Sequence, residues 1–567
     1  ARAFCARTRL LGAGALQLLV QIQAPEQPCQ HQRQPKQQKN GNASTHRPYT
    51  QPESAHRLAR SRPKTPASTP LHYPARFGRL NTCPQPTRTM LTTNLLRLGV
   101  LLLATAILVA CLIAAWRPMP AGLSASTPLR PADDALLLFD QTWRDSNGDE
   151  QIRQEIMNHI LALIGEAREL LVIDMFLFND FAGTDSYRPL SAELTDALIH
   201  ARQQHPEMPV VLITDPFNTL YGGLEPAHFA RLRAAGVDVV MTDLSRLPAS
   251  NPLWTGIWSL CCSYLGNSTE GGWLPNPVGP GKVTLRSYLH LLNFRANHRK
   301  TLVVGTGSEW KALVTSMNPH DASSRHDNSA VQFSGAAALD LLQTERAVAL
   351  LSGYPAAINW PSAPALDTWP AAGNQLQVLT EGEIEAGLLQ LINSAQGNDQ
   401  LDVEVFYLSS RPIIEALIAA RERGARIRVM LDPNRDAFGR EKNGIPNRQA
   451  AWDLHDAGIE VRWCATVGEQ CHRKWVRLDR ADGSAELITG SANFTRRNLH
   501  DLNLETSVRL VSRSDDPQIS TQRADFERQW QNANGAVYSL PYADFADHSR
   551  WRYLVYRVME ASGLSTF

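Results

Sequence analysis

Two stretches decide how this chain is read: Asn297-His298-Arg299-Lys300-Thr301-Leu302-Val303-Val304 and Cys471-His472-Arg473-Lys474-Trp475-Val476-Arg477-Leu478-Asp479. Alternate side chains of a β-strand share a face, so His298 and Lys300 present an imidazole and an ammonium to one spot, as do His472 and Lys474. Such a pair suits a phosphate. Behind each stretch comes a second apolar run that ends in small residues and an amide, Leu313-Val314-Thr315-Ser316-Met317-Asn318 and Leu487-Ile488-Thr489-Gly490-Ser491-Ala492-Asn493.

Working outward, the surroundings of the two stretches also match. Helical periodicity over Ile152–Leu170 precedes a continuous apolar strand, Leu170–Phe178. Helix Ser191–Gln203 leads into strand Pro209–Asp215, and helix Ala227–Ala235 into strand Val237–Met241. The second half runs in the same order: helix Glu383–Ser394, strand Leu401–Leu408, helix Pro412–Arg423, strand Ala425–Asp432, helix Asn447–Ala457, strand Gly458–Trp463. Strands alternating with helices imply an α/β fold whose sheets are covered on both faces. The repeat spans 150–510 and predicts two similar lobes, 136–370 and 371–540, related by a pseudo-two-fold that brings both His-Lys pairs to one seam. A tail, 541–567, follows, with a closing helix around Phe526 and Trp530 expected on the second lobe.

The N-terminal part is different in kind. Residues 1–89 are rich in Gln, Pro, Arg and His, nearly free of acids and without Met, a composition that cannot build a core and reads as disordered. The first Met is Met90, so the upstream residues read as an over-extended N-terminus, with a basic transit segment as the alternative. From Leu98 to Trp116 runs an apolar stretch of about 19 residues, close to what a bilayer core requires. The segment 90–117 is therefore read as a signal anchor or, because Leu108-Val109-Ala110-Cys111 resembles a lipobox, a lipoprotein signal; a buried soluble helix is the third reading. Residues 118–135 form a linker, and the catalytic part is expected outside the cytoplasm, most simply in a bacterial periplasm.

Composition narrows the function further. The net charge of +1 gives no whole-chain case for nucleic acid. The eight cysteines have no metal-site spacing; Cys261-Cys262 and the pair Cys464 and Cys471 are open to oxidation in an exported protein or to remaining buried thiols.

The spacing His472-x-Lys474-x4-Asp479, followed by Gly490-Ser491-Ala492-Asn493, resembles the phospholipase D superfamily, and the duplication makes the resemblance cover both lobes. The first copy departs from the pattern, with Gly305 where the acid is expected. The resemblance implies a phosphohistidine mechanism: His298 as nucleophile, His472 as general acid and then base, and Lys300, Lys474, Asn318, Asn493 and Ser491 around the phosphate. Asp479 completes the second motif and is grouped with the catalytic residues, although the resemblance implies that this acid supports the local fold more than it touches the phosphate. Glu505 sits where the family places a carboxylate against a catalytic His, and Asp327 is the candidate in the first copy. The chemistry is reasonable from the residues alone. Ammonium and amide groups stabilise charge gathering on the equatorial oxygens, and two imidazoles flanking the phosphorus can attack and protonate in line. No cofactor or metal is needed, and one chain supplies both half-sites, so a monomer is expected.

The substrate is less legible. An insertion, 244–289, has no counterpart in the second half and carries Trp254, Trp258, Tyr264 and Trp273, residues a membrane interface would use; the alternative is a loop packed on its own lobe. A membrane-tethered enzyme acting on glycerophospholipids, by hydrolysis or by phosphatidyl transfer as in cardiolipin synthases, is the leading reading. The alternatives are a nuclease of the same superfamily and an inactive tethered scaffold.

Overall fold

The computed structural model describes residues 88–181, 187–355, 358–365, 373–434, 436–437, 440–441, 443–466, 468–565 and 567. The expectations for residues 1–87 lie outside them. One long helix, Arg88–Ala115, opens the described chain. Its stretch Thr92–Ala115 has a mean hydropathy of 2.8 over its most apolar window, and it is long and apolar enough to cross a membrane. Up to Leu103 this helix belongs to a separate compact unit; the body of the protein runs from Ala104 to Phe567.

Two mixed sheets make that body. In the first lobe the strands are β1 Leu136–Arg144, β2 Glu150–Arg153, β3 Leu170–Met175, β4 Val210–Thr214, β5 Asp238–Met241, β6 Lys300–Gly305, β7 Trp310–Thr315 and β8 Asn328–Ser334, in the spatial order β2-β1-β8-β7-β6-β3-β4-β5. In the second they are β9 Gln375–Thr380, β10 Gln400–Val405, β11 Arg426–Leu431, β12 Glu460–Cys464, β13 Lys474–Asp479, β14 Ser484–Gly490, β15 Thr506–Arg513 and β16 Ser539–Pro541. Their order is β9-β15-β14-β13-β10-β11-β12-β16, with Arg130–Pro131 at the β9 edge. From β1 to β5 and from β9 to β12 the two orders coincide strand for strand. In each, three parallel strands joined through helices meet an antiparallel set along the strand that starts with the His-x-Lys lysine.

Strand alternation decides which side chain enters which core. In the first lobe Leu171, Ile173, Leu302 and Val304 pack outward beneath helices Ile156–Glu166 and Leu190–Gln204. The second lobe buries Leu401, Val403 and Leu478 likewise under helices Gly382–Ser394 and Arg411–Glu422. The other faces share one core, where Val172, Val303 and Val331 are in a cluster with Leu376, Trp475, Leu487 and Val508. Truncating Leu376, Leu487 or Trp475 to Ala would cost roughly 2–5 kcal/mol, so the two lobes are held together by a shared apolar core.

Several expected boundaries move for identifiable reasons. Strand Leu170–Phe178 ends at Met175 because side-chain amides capture the following backbone: Leu177 N–H donates to Asn318 Oδ1 at 3.3 Å and Phe178 N–H to Asn218 Oδ1 at 3.0 Å. The strand Leu401–Leu408 stops at Val405 in the same way, Leu408 N–H donating to Asn447 Oδ1 at 2.8 Å. The helix expected over 152–170 is Ile156–Glu166, since the Asp140 carboxylate takes the N–H groups of Glu155 and Ile156 and residues 150–153 pair with β1. The closing helix, Pro517–Trp530, is not confined to the second lobe. Gln518 accepts the N–H of Leu137 at 2.9 Å, Asp525 pairs with Arg153 at 3.0 Å, and Phe526 meets Trp475 edge to face. Residues 541–567 are more than a tail, forming helix Arg550–Ser562 that hydrogen-bonds Ser409 through Glu560 at 2.6 Å.

The insertion has its own small core of Val278, Val283, Tyr288 and Leu291 beside Phe217 and Leu220. Trp258 is buried and Trp254 donates its indole N–H to Leu289 O at 2.8 Å, whereas Leu253, Tyr264 and Trp273 are 63%, 73% and 65% exposed. The cysteines Cys261 and Cys262, and Cys464 and Cys471, are joined as disulfides, and Cys111 is free.

Candidate active site

Each motif enters its strand through a cross-lobe backbone contact. His298 N–H donates to Leu504 O at 2.8 Å, and His472 N–H to Asp327 O at 2.8 Å. The lysines then fold back beneath their own histidines: Lys300 Nζ donates to His298 O at 2.6 Å and Lys474 Nζ to His472 O at 2.5 Å. Phe176 and Phe406 flank the two imidazoles, with ring centroids 4.7 and 5.2 Å away. Between His and Lys, the arginine of each phrase points to the opposite face. Arg299 donates to Glu381 of the second lobe at 2.6 Å; Arg473 donates to Asp525 at 2.7 Å and to the first lobe's Asp140 O at 3.0 Å. The phrase His-Arg-Lys thus sets its histidine and lysine on one face and clasps the lobes with its arginine on the other.

His298 and His472 line one cavity of about 210 Å³, together with Asn318, Asn493, Phe176 and Phe406. Nδ1 of His298 lies 2.9 and 3.0 Å from the two carboxylate oxygens of Glu505, a residue of the other lobe. An N–H must therefore sit on Nδ1, which leaves the lone pair on Nε2. Asp327, the expected counterpart, is displaced by one residue. Its carboxylate accepts Thr142 N–H at 2.8 Å, and the group against His472 Nδ1 is Asn328 Oδ1 at 3.1 Å. Successive strand residues face opposite ways, so a one-residue offset exchanges an acid for an amide. The amide's orientation is fixed because Asn328 Nδ2 donates to His326 O at 3.1 Å, which turns Oδ1 toward the imidazole.

Burial pushes His298 down to about 4, with the Glu505 carboxylate opposing it and Lys300 and Lys474 adding to it. His472 is held well below the usual imidazole range, first by burial and then by Lys474, His326 and Lys300. Burial also brings Lys300 down to about 7 and Lys474 well below an ordinary lysine. Glu505 ends below the ordinary carboxylate range: burial raises it, and the charges of His298 and Lys300 with the hydrogen bonds from His298 and Ser491 outweigh that. The pocket is thus buried and lined by two neutral imidazoles and by the carboxyl of Asp215, which burial raises to about 7, with the two lysines tucked beneath their histidines and the Glu505 carboxylate behind His298.

The other expected residues divide. Asn318 and Asn493 line the cavity, and Asn493 Oδ1 is buried without a hydrogen-bond partner. Ser491, expected at the phosphate, is not on the cavity wall; its hydroxyl donates to Glu505 and accepts Thr506 N–H at 3.0 Å. Asp479, grouped with the catalytic residues from its place in the motif, is five residues along the strand from Lys474, about 16 Å away. It pairs with Arg477 at 2.7 Å and with Arg523 of the closing helix, and it lines a different surface cavity. Its first-lobe counterpart, Gly305, follows from packing, since a Cβ there would come within 2.8 Å of the Trp310 ring. Among the described residues, the one group of three that could ligate a metal is Glu404, Cys464 and Cys471, and its two sulfurs are bonded to each other.

Sequence reasoning did not find Asn328, Asn498 or Phe406. Asn498 Nδ2 donates to the second Glu505 oxygen. The aligned positions Leu504-Glu505 and Asp327-Asn328 were the available signal for Asn328, and the apolar run that overshoots strand β10 was the signal for Phe406.

Residues 388–530, which contain the second motif, Asn493 and Glu505, match the family model described as cardiolipin synthase, PLD-like domain. The chain is 28% identical over 177 residues to a human protein named mitochondrial cardiolipin hydrolase, and 28% identical over 153 residues to its dog counterpart. The matched parts are 30% and 27% of this chain and 64% and 53% of those proteins, so the chain spans between half and two thirds of the length of these relatives. The fold is shared with the crystal structure of phosphatidylserine synthase from Haemophilus influenzae, at a TM-score of 0.50 and 12% identity, over 76% of this chain and 94% of that one.

Proposed function

We propose, on the premise that this chain belongs to the phospholipase D superfamily, that it is a membrane-tethered phosphodiesterase or phosphatidyltransferase acting on glycerophospholipids. The observation that carries the proposal is the meeting of His298 and His472, one from each half of the chain, on the wall of a single cavity. We read the two lobes as copies of one unit about a pseudo-two-fold, a reading supported by their common strand order and by the paired backbone contacts at His298 and His472.

In this scheme His298 Nε2 attacks phosphorus while Glu505 holds its Nδ1 proton. The bond to the leaving oxygen breaks, and His472 gives that oxygen the proton from its Nε2. His472 then takes a proton from water or an alcohol, which attacks the phosphohistidine and releases phosphatidate or a new diester. Lys300, Lys474, Asn318 and Asn493 surround the non-reacting oxygens, where charge builds in the transition state. The diester's own charge restores the imidazolium on His472 that burial suppresses in the empty site.

The membrane is approached through the insertion. The last turns of the apolar helix pack on it: Ala114 O accepts Ala249 N–H at 3.0 Å, and a Cβ at Gly256 would stand 2.6 Å from Cys111 Sγ. This supports a reading in which the exposed Leu253, Tyr264 and Trp273 meet the lipid surface, where aromatic side chains are favoured. The test is turnover by the purified full-length protein of phosphatidylglycerol and phosphatidylcholine vesicles and of DNA. Lipid product is expected, and product from DNA alone would replace this reading with a nuclease. Deleting 250–275 should abolish turnover of vesicles and spare a soluble diester; equal loss on both would remove the insertion's membrane role.

A further inference from the structure

The cavity carries positive charge beyond the two lysines beneath its histidines, against one lining carboxyl, Asp215. Besides the lysines near its histidines, the guanidinium groups of Arg497 and Arg295 line it. Arg497 stands on the short helix Arg496–Leu499, just beyond Asn493, and its Nε and Nη2 are closed off from solvent without a hydrogen-bond partner. The acid that its charge feels is Glu560, whose two oxygens are already engaged by Ser409 Oγ at 2.6 Å and Arg496 N–H at 3.1 Å. Arg295 donates Nε to Pro248 O at 3.0 Å, and its Nη2 is likewise buried and unpartnered. A guanidinium desolvated without a counter-anion is costly, so such a group on a ligand cavity marks a place where an anion arrives.

This second charge is separate from the first. Lys300 and Lys474 act on His298 and His472, whereas Arg497 acts on Tyr221 and Glu560. The Arg497 guanidinium lies 5.0 Å above the ring of Phe294, which the chain holds at φ 52°, a left-handed conformation rare for an aromatic residue. Backbone in that region persists only where its surroundings enforce it. The ring fixes the plane of the guanidinium and leaves the N–H edge for a planar or tetrahedral oxyanion.

We propose that Arg497, carried on Phe294 and assisted by Arg295, forms a second oxyanion subsite of the cavity, which takes a phosphate or carboxylate of the substrate other than the reacting diester. The preferred lipids then carry two anionic groups. This rests on the lipid-processing reading above. The test compares kcat/KM of the full-length protein in mixed micelles on cardiolipin, which supplies a second phosphate, phosphatidylserine, which supplies a carboxylate, phosphatidylcholine, which supplies a cation, and soluble bis(p-nitrophenyl) phosphate. Wild type should favour one or both of the two-anion lipids over phosphatidylcholine, and which of them responds identifies the second group. Arg497→Gln should lower kcat/KM on that lipid by about tenfold to a hundredfold, mainly through KM, and far less on the other two substrates. Arg497→Lys should restore part of the loss, as a structural defect would not. An equal loss on all four substrates, or a wild type indifferent to the second anion, would overturn the subsite while leaving lipid turnover intact. A wild type that processes none of the lipids would instead bring down the reading beneath it.

Discussion

The two half-sites differ most plainly in the group that faces each imidazole, and the proposed roles rest on that difference. Both histidines are buried beside a lysine and a phenylalanine, and both donate their backbone N–H to a carbonyl of the opposite lobe. His298, however, donates Nδ1–H to the Glu505 carboxylate, whereas His472 donates it to the Asn328 amide. A carboxylate stabilises the cation that forms when an imidazole is phosphorylated; an amide does not. His298 is thereby suited to attack. His472, lacking that anion, gives up a proton more readily once substrate binding has supplied it. On the proposed mechanism, what looks like duplication from the sequence becomes a division of labour at one position, Glu505 against Asn328.

Replacing the histidines gives the largest effects. His298→Ala should reduce turnover of every diester to background, a loss of at least about 10⁴-fold. His472→Ala should lose about 10²- to 10⁴-fold on a lipid, whose alkoxide leaving group needs a proton, and far less on bis(p-nitrophenyl) phosphate, whose phenolate does not. Steady-state rates on both substrates decide it; equal losses for the two variants on the aryl diester would cancel the assignment.

Exchanging the partners should come next. Glu505→Gln keeps the shape and removes the charge, and kcat is expected to fall by about 10²-fold. Asn328→Asp makes the second half-site resemble the first; the pH–rate profile should shift upward on the limb set by His472, with kcat lowered about tenfold as the acid weakens. An unchanged profile would mean that the amide contact has no part in tuning that proton.

The pH dependence of stability follows with a smaller effect. His298 titrates near 4 when folded, against roughly 6.5 when unfolded, so its contribution is present in full above about pH 6.5 and is lost as pH falls toward 4. The loss is on the order of 3 kcal/mol at most. A phosphate mimic such as tungstate supplies the missing anion and favours proton uptake, so the Tm increase it produces should grow between pH 8 and pH 6. An increment independent of pH would show that binding takes up no proton.

The smallest effects on chemistry are expected at the unmatched motif positions. Gly305→Asp pushes a side chain into the Trp310 ring and should cost about 1–3 kcal/mol of stability. Asp479→Asn loosens the clasp on Arg477 and Arg523. Thermal melts should register both substitutions, while kcat stays within about threefold.

Much of this was legible in the sequence because periodicity and repetition are local properties. The alternation through His298 and Lys300, the repeated order of helices and strands, and the apolar run ending at Trp116 each lie on contiguous residues. The misses have a different character. Asn328 faces His472 because a strand from the other lobe arrives in one register and not in the next, and that is settled by tertiary packing. The Ser491 hydroxyl turned out to be engaged by Glu505, and Asp479 by a helix more than forty residues downstream; neither partner could be read from motif spacing. Arg299 and Arg473 were in view as part of the phrase, and their opposite-face position followed from the same alternation that placed the histidines, but the acids they reach come from distant segments.

The central claim is that His298 carries the phosphoryl group. Rapid quenching of the enzyme during turnover of a labelled lipid, followed by mass spectrometry under conditions that preserve acid-labile phosphoramidates, should find the adduct on the peptide containing His298. It should accumulate further in His472→Ala acting on an aryl diester. An adduct on His472, or none on either histidine while product still forms, would contradict the account.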